Sequence, residues 1–160
     1  MGRFTGKVVS IVGAAGEDNM GQVMARRFAA EGAKVVVSGR HEAALSKLAE
    51  EIDGDWVLCD FSKKASINTM IDSIIERHGK LDVAINSTGW GLLVPLEENS
   101  EEQLDQMLDL QFKGPFVWLQ KLIQVMADTG GSIIQISSAT ANIMLDDHAA
   151  YMGTKAGTDH

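Results

Sequence analysis

Lys7-Val8-Val9-Ser10-Ile11-Val12 runs directly into Gly13-Ala14-Ala15-Gly16-Glu17-Asp18-Asn19-Met20-Gly21, and this stretch decides the fold. A short apolar run closed by glycine reads as a buried strand. Beyond it, Met20, Val23, Met24 and Phe28 recur at the spacing of one helix face. Glycines let the backbone turn sharply and approach a pyrophosphate closely. The helix that follows offers unpaired N–H groups and the positive end of its dipole. The position is that of a phosphate-binding turn, although the spacing is not G-x-G-x-x-G.

The same alternation continues outward. Gly32 ends the first helix and Ala33 to Val37 forms a second strand. Leu45, Leu48, Ala49 and Ile52 mark a second helix that stops near Gly54, and Trp56 to Leu58 is a third strand. Ile67, Met70, Ile71, Ile74 and Ile75 trace a third helix ended by Gly79, before a fourth strand from Leu81 to Ile85. Ser100-Glu101-Glu102-Gln103 has the form of a capping box. The helix it opens carries Leu104, Met107, Leu108, Phe112, Phe116, Leu119, Ile123 and Met126, with Pro115 expected to kink or break it. Gly130-Gly131 ends that helix, Ser132 to Ile136 is a fifth strand, and a last helix starts near Tyr151. Strict alternation of apolar strands and helices predicts one α/β domain over residues 1–160, a doubly wound parallel sheet covered on both faces. Ligands of such sheets bind at the carboxyl ends of the strands.

Composition narrows the function. The net charge of −8 argues against nucleic acid and anionic membranes as generic partners. The single cysteine, Cys59, excludes an intrachain disulfide or a multi-cysteine zinc site, and reads as a small buried apolar residue. There is no apolar stretch of membrane-spanning length and no signal-peptide pattern, so the expected location is the cytoplasm. His148 lies beside Asp146 and Asp147 without further ligands at metal spacing, and reads as a loop or pocket-wall residue. No metal is expected.

The strand ends hold the unusual residues. Gly13, Ala15, Gly16, Asn19, Met20 and Gly21 form the candidate phosphate turn. No acid occurs from Gly32 to His41 to take a ribose 2′-OH, whereas Arg40 suits a 2′-phosphate, so NADP(H) is favoured over NAD(H). Asp60 and Phe61 follow the third strand; Asp60 either accepts from an adenine amino group or satisfies its turn. Asn86-Ser87-Thr88-Gly89 follows the fourth, with Asn86 serving a ribose or the turn itself. Ser138 ends the fifth, either bonding a substrate oxygen or capping a turn. Tyr151 and Lys155, four apart, share a helix face. An ammonium beside a phenol favours phenolate, and the pair can act as a general acid/base unit.

Taken together, the Gly13/Gly16/Gly21 turn, Asp60, Asn86-x-x-Gly89, Ser138 and Tyr151-x-x-x-Lys155 resemble the short-chain dehydrogenase/reductase family. The resemblance implies a Rossmann fold of strand order 3-2-1-4-5 and hydride transfer between nicotinamide and a ketone or secondary alcohol. It implies Tyr151 as proton donor or acceptor, Lys155 as the group that lowers its pKa and binds the nicotinamide ribose, and Ser138 as the residue orienting the substrate oxygen. It also implies a homodimer or homotetramer packed partly through the fourth helix. The family's glycine turn is usually T-G-x-x-x-G-x-G; here Val12 stands for the Thr and Gly21 comes two residues late, with Asn19 at the middle-glycine position. Gln111 stands where the family has an Asn that anchors a proton-relay water, so a displaced water, or no relay, is expected. Family members have about 250 residues in one domain, so further strands are expected beyond those in this chain. The alternative to an enzyme is a non-catalytic dinucleotide-binding or interaction module of the same fold.

Overall fold

The computed structural model describes residues 2–160. Five strands, β1 (Val8–Val12), β2 (Lys34–Gly39), β3 (Asp55–Leu58), β4 (Val83–Asn86) and β5 (Ser132–Gln135), form one sheet of order β3-β2-β1-β4-β5. Every pairing is parallel, with Val9 opposite both Val35 and Val83. Helices α1 (Met20–Ala30), α2 (Glu42–Glu51), α3 (Lys64–His78), α4 (Glu101–Leu108), α5 (Gly114–Met126) and α6 (Ala149–Asp159) connect and flank the strands. The doubly wound Rossmann arrangement expected from the sequence is the one observed. Among the described residues, no helix is long and apolar enough to cross a membrane.

Alternation along the strands builds two cores. Val8, Val12 and Val36 face Ile67, Met70, Ile74, Trp118 and Leu122 of α3 and α5. Val9, Ile11, Val35 and Val37 face Leu45 and Leu48 of α2 and Ala25 of α1. The capping box of α4 is formed, with Gln103 N–H donating to Ser100 Oγ and Ser100 N–H donating to Gln103 Oε1.

Two elements depart from the apolar pattern. Met20 and Val23 are each 56% exposed, while Gly21, Gln22 and Ala25 are the buried face of α1. The cause is close approach: a Cβ on Gly21 would lie 2.7 Å from the Gly13 carbonyl oxygen. Only the small side of α1 can meet the sheet there. The second departure lies around Pro115. A π-helical turn spans Asp109–Lys113 and separates α4 from α5. Pro115 has no N–H to give the Gln111 carbonyl; the Thr158 hydroxyl, which donates to the Thr154 carbonyl at 2.5 Å, lies 3.3 Å from it. α6 runs through Gly153 and Gly157 for 11 residues, packed against this turn.

Asp82 locks the amino-terminal edge of the sheet. It accepts from Lys7 Nζ and Val8 N–H, each at 2.9 Å, and pairs with Lys80 at 2.9 Å. Burial opposes its charge, but these donors prevail and hold its pKa at about 2. A carboxylate with a lowered folded pKa adds stability that is full above about pH 4 and lost as pH falls through 2. Asp82→Asn is therefore expected to cost about 1–2 kcal/mol at neutral pH. Urea midpoints of the two proteins should converge on acidification toward pH 2; an undiminished gap there contradicts the assignment.

Candidate cofactor and catalytic site

β1, β2, β3 and β4 end around one cleft of about 300 Å³. Gly13, Ala15, Gly16, Asn19, Arg40, Phe61, Ser87 and Gly89 line it, joining eight of the expected residues in one wall. Thr88, Gly39, His41, Leu110 and Cys59 also line it and were not singled out. Thr88, Gly39, His41 and Cys59 are marked in the sequence only by nearness to a strand end, and Leu110 lies in the π turn. Met20, Gly21, Asp60 and Asn86 lie outside this wall. Arg40 and Gly89 also border a neighbouring cavity of about 390 Å³, with Asp60 and Trp90.

The glycine turn is fixed from both sides. Gly13 has φ +95°, and a Cβ there would meet the Ser87 carbonyl carbon at 2.7 Å. The Gly13 and Ala14 N–H groups both donate to the Ser38 carbonyl. Asn19 caps α1 by accepting from Gln22 N–H at 2.9 Å, and its own amide donates to the Gly13 carbonyl at 2.7 Å. That cap leaves the Met20 and Gly21 N–H groups without intrahelical partners at the mouth of the turn. The two extra residues of the turn are pinned as well: Asp18 N–H donates to Gln22 Oε1 and its carboxylate meets Arg26 at 3.3 Å, which in turn holds Glu51. A glycine cradle with orphan N–H groups at a helix start fits a dinucleotide phosphate.

Arg40 is exposed at the rim. Asp60 accepts from the Ser62 hydroxyl at 2.7 Å and pairs with Lys63 at 3.2 Å. Burial pushes its pKa up, yet the Ser62 and Lys63 bonds bring it below the ordinary carboxylate value. Asn86 is fully buried; its amide donates to Gln135 and its oxygen accepts from Thr88 N–H and hydroxyl, so it fixes the turn. Cys59 is buried, and burial raises its thiol pKa to about 11. It is an apolar wall rather than a nucleophile.

The residues expected to carry the chemistry lie just beyond β5 and in α6. Ser138 Oγ accepts from Thr140 N–H and hydroxyl at 3.2 and 2.9 Å, capping a single 3₁₀ turn that packs against α6. Ser137 Oγ donates to Asp159 at 2.7 Å and Lys155 Nζ donates to the Ile136 carbonyl at 3.0 Å, so α6 is tied to the end of β5 twice. Lys155 is 4% exposed; burial lowers its pKa, with Asp159 pulling it back up. Its Nζ lies 5.8 Å from the centre of the Tyr151 ring. His148 packs edge-on to that ring at 6.3 Å and gives α6 no side-chain cap. Leu93, Ile143, Met144 and Leu145, in the segments flanking this end, are exposed. Ser138, Tyr151 and Lys155 border neither of the two cavities above.

Gln111 is 3% exposed in the π turn. Its oxygen accepts from Trp90 N–H at 2.7 Å, and its amide nitrogen donates to Thr154 Oγ1 at 2.9 Å and Met107 Sδ at 2.8 Å. Both amide hydrogens are thereby engaged.

The family described as enoyl-(acyl carrier protein) reductase matches residues 13–160. A 3beta-hydroxysteroid dehydrogenase of Mediterraneibacter gnavus is 34% identical over 97% of this chain and 58% of its own length. A D-threitol dehydrogenase of Mycolicibacterium smegmatis is 30% identical over 97% and 61%. A short chain dehydrogenase from Mycobacterium smegmatis superposes with TM-score 0.93 at 28% identity, over 99% of this chain and 69% of that one. An NAD+-bound xylitol dehydrogenase gives 0.88 at 25% identity, over 97% and 62%. A metagenomic short-chain oxidoreductase in complex with NADP gives 0.90 at 29% identity, over 98% and 73%. The chain spans about three fifths of the length of these two dehydrogenase relatives. Because the match runs unbroken from the glycine turn through the Tyr151 helix, on a sheet of the same order, the chain belongs to the short-chain dehydrogenase/reductase family.

Proposed function

We propose that the protein is an oxidoreductase passing a hydride between NADP(H) and a ketone or secondary alcohol. The observation that carries this reading is the buried Lys155 ammonium held beside Tyr151 at the same sheet edge as the glycine cradle. Gly13, Gly16 and the start of α1 would hold the pyrophosphate, and Arg40 the 2′-phosphate. The nicotinamide, when bound, supplies or accepts the hydride. Ser138 orients the carbonyl oxygen through its hydroxyl. Tyr151 gives its phenolic proton to that oxygen in reduction and takes it back in oxidation, and the Lys155 charge stabilises the phenolate left behind. Leu93, Ile143, Met144 and Leu145 offer uncharged walls to the rest of the substrate.

One observation favours the non-catalytic alternative: the Gln111 amide hydrogens are both engaged, where the family's Asn anchors a relay water. Turnover decides between the two. In steady-state assays of the full-length protein on a ketone panel with NADPH, Tyr151→Phe and Lys155→Ala should each lower kcat by about 100-fold or more. NADPH binding with no wild-type turnover supports the alternative.

Cofactor choice has its own test. Some relatives of this fold bind NAD+ and others NADP. Arg40→Ala should weaken NADPH binding by about 10- to 100-fold and leave NADH unchanged, since a charged pair to phosphate contributes roughly 1.5–3 kcal/mol. Equal losses for both cofactors in calorimetry would remove Arg40 from the 2′-phosphate.

The oligomer reading rests on Leu104, Phe112, Phe116 and Ile123, which remain exposed along α4, the π turn and α5. A homodimer or homotetramer would cover them. Phe116→Asp should shift the full-length protein to monomer in sedimentation velocity; an unchanged species places the interface elsewhere.

A further inference from the structure

Thr154 carries no role in the reaction as described, yet it is 3% exposed in the middle of the catalytic helix. Its hydroxyl has two partners. It accepts from Gln111 Nε2 at 2.9 Å and donates to the carbonyl of Tyr151 at 2.9 Å. Gln111 in turn accepts from Trp90 N–H at 2.7 Å. The bonds therefore run Trp90 N–H to Gln111 Oε1, then Gln111 Nε2–H to Thr154 Oγ1, then Thr154 O–H to Tyr151 O. Donors and acceptors match at each link, and the hydroxyl's single hydrogen is used once.

The origin of this chain of bonds is the π turn. Pro115 frees the Gln111 carbonyl, which lies 3.3 Å from the Thr158 hydroxyl one helical turn beyond Thr154, while that hydroxyl donates to the Thr154 carbonyl at 2.5 Å. Gln111 thus grips α6 by its side chain and lies against the next turn of α6 with its carbonyl. The extra methylene of Gln over Asn gives that side chain added reach. At the Tyr151 end of α6, His148 provides no side-chain cap.

We propose that Thr154 is a positioning residue for Tyr151, and that Gln111 acts through it to set the catalytic helix against the Trp90 segment. The proposal rests on the oxidoreductase reading above. Replacement of Thr154 by Val keeps the branched shape and removes the hydroxyl, leaving one Gln111 hydrogen without a partner. A displacement of the reacting group by a fraction of an ångström is enough to slow chemistry by an order of magnitude.

The test uses the full-length protein with NADPH and its best ketone from the panel. Thr154→Val should lower kcat by about tenfold with little change in NADPH affinity, while Thr154→Ser, which keeps the hydroxyl, should stay within about twofold. Gln111→Ala combined with Thr154→Val should be no slower than the worse single variant, since both act through one chain of bonds. In a Tyr151→Phe background, Thr154→Val should leave the residual rate unchanged. A Thr154→Val enzyme with wild-type kcat overturns the proposal, as does a Thr154→Ser enzyme as slow as Val. A further loss in the Tyr151→Phe background also overturns it, because the effect would not pass through Tyr151. A wild-type protein that turns over no ketone or alcohol overturns the oxidoreductase reading and this proposal together; the other failures leave that reading standing.

Discussion

The backbone pairing at the carboxyl end of β1 is the constraint on which the rest depends. β1 is the central strand, paired with β2 on one side and β4 on the other. Its last carbonyl, at Val12, accepts from both the Ser87 N–H and hydroxyl, while Gly13 and Ala14 N–H turn to Ser38. These few bonds fix where the chain leaves the sheet, and so where the glycine cradle opens. They also place Ser87 against Gly13 closely enough that no side chain fits there. In a parallel sheet every strand ends at the same edge, so the turns of β2, β3 and β4 are delivered to the same cleft without further design.

Much of this was legible because it follows from period and punctuation. The strand runs at Lys7–Val12 and Ser132–Ile136 are short, apolar and bounded by glycine or a turn, and each falls within a residue or two of its observed strand. Gly79 ends α3 in the left-handed region, as a glycine at that place does when no side chain tolerates the angle. Apolar spacing located α1 and its core contacts Met24 and Phe28, but misjudged Met20 and Val23, because it counts hydrophobic residues and not the distance between helix and sheet. Gly21 and Ala25 are buried for their smallness, which a search for large apolar residues passes over.

The region around Gln111 was the least legible. Pro115 announced an interruption, but whether a proline kinks a helix, breaks it or widens a turn depends on what accepts and donates nearby. Here the partners come from α6, about 40 residues further along the chain. The capacity of Gln111 to join three segments is a tertiary fact with no local sign. Thr88 and Cys59 have only their nearness to a strand end as a local sign, and they enter the cleft wall because β3 and β4 end beside the glycine turn.

Lys155 shows how stability and function diverge in this fold. An ammonium held 4% exposed is costly, and burial lowers its pKa accordingly. A stability argument alone would replace it with an apolar side chain of similar volume. Its bond to the Ile136 carbonyl uses one of three hydrogens. That bond aims the charge from the end of β5 toward the Tyr151 ring, and Ser137 and Asp159 brace the same junction. The other two N–H groups are not used by that bond. A buried cation supported by one carbonyl and set beside a phenol carries a stability cost that apolar packing would not, which is the physical ground for reading it as a functional-site candidate.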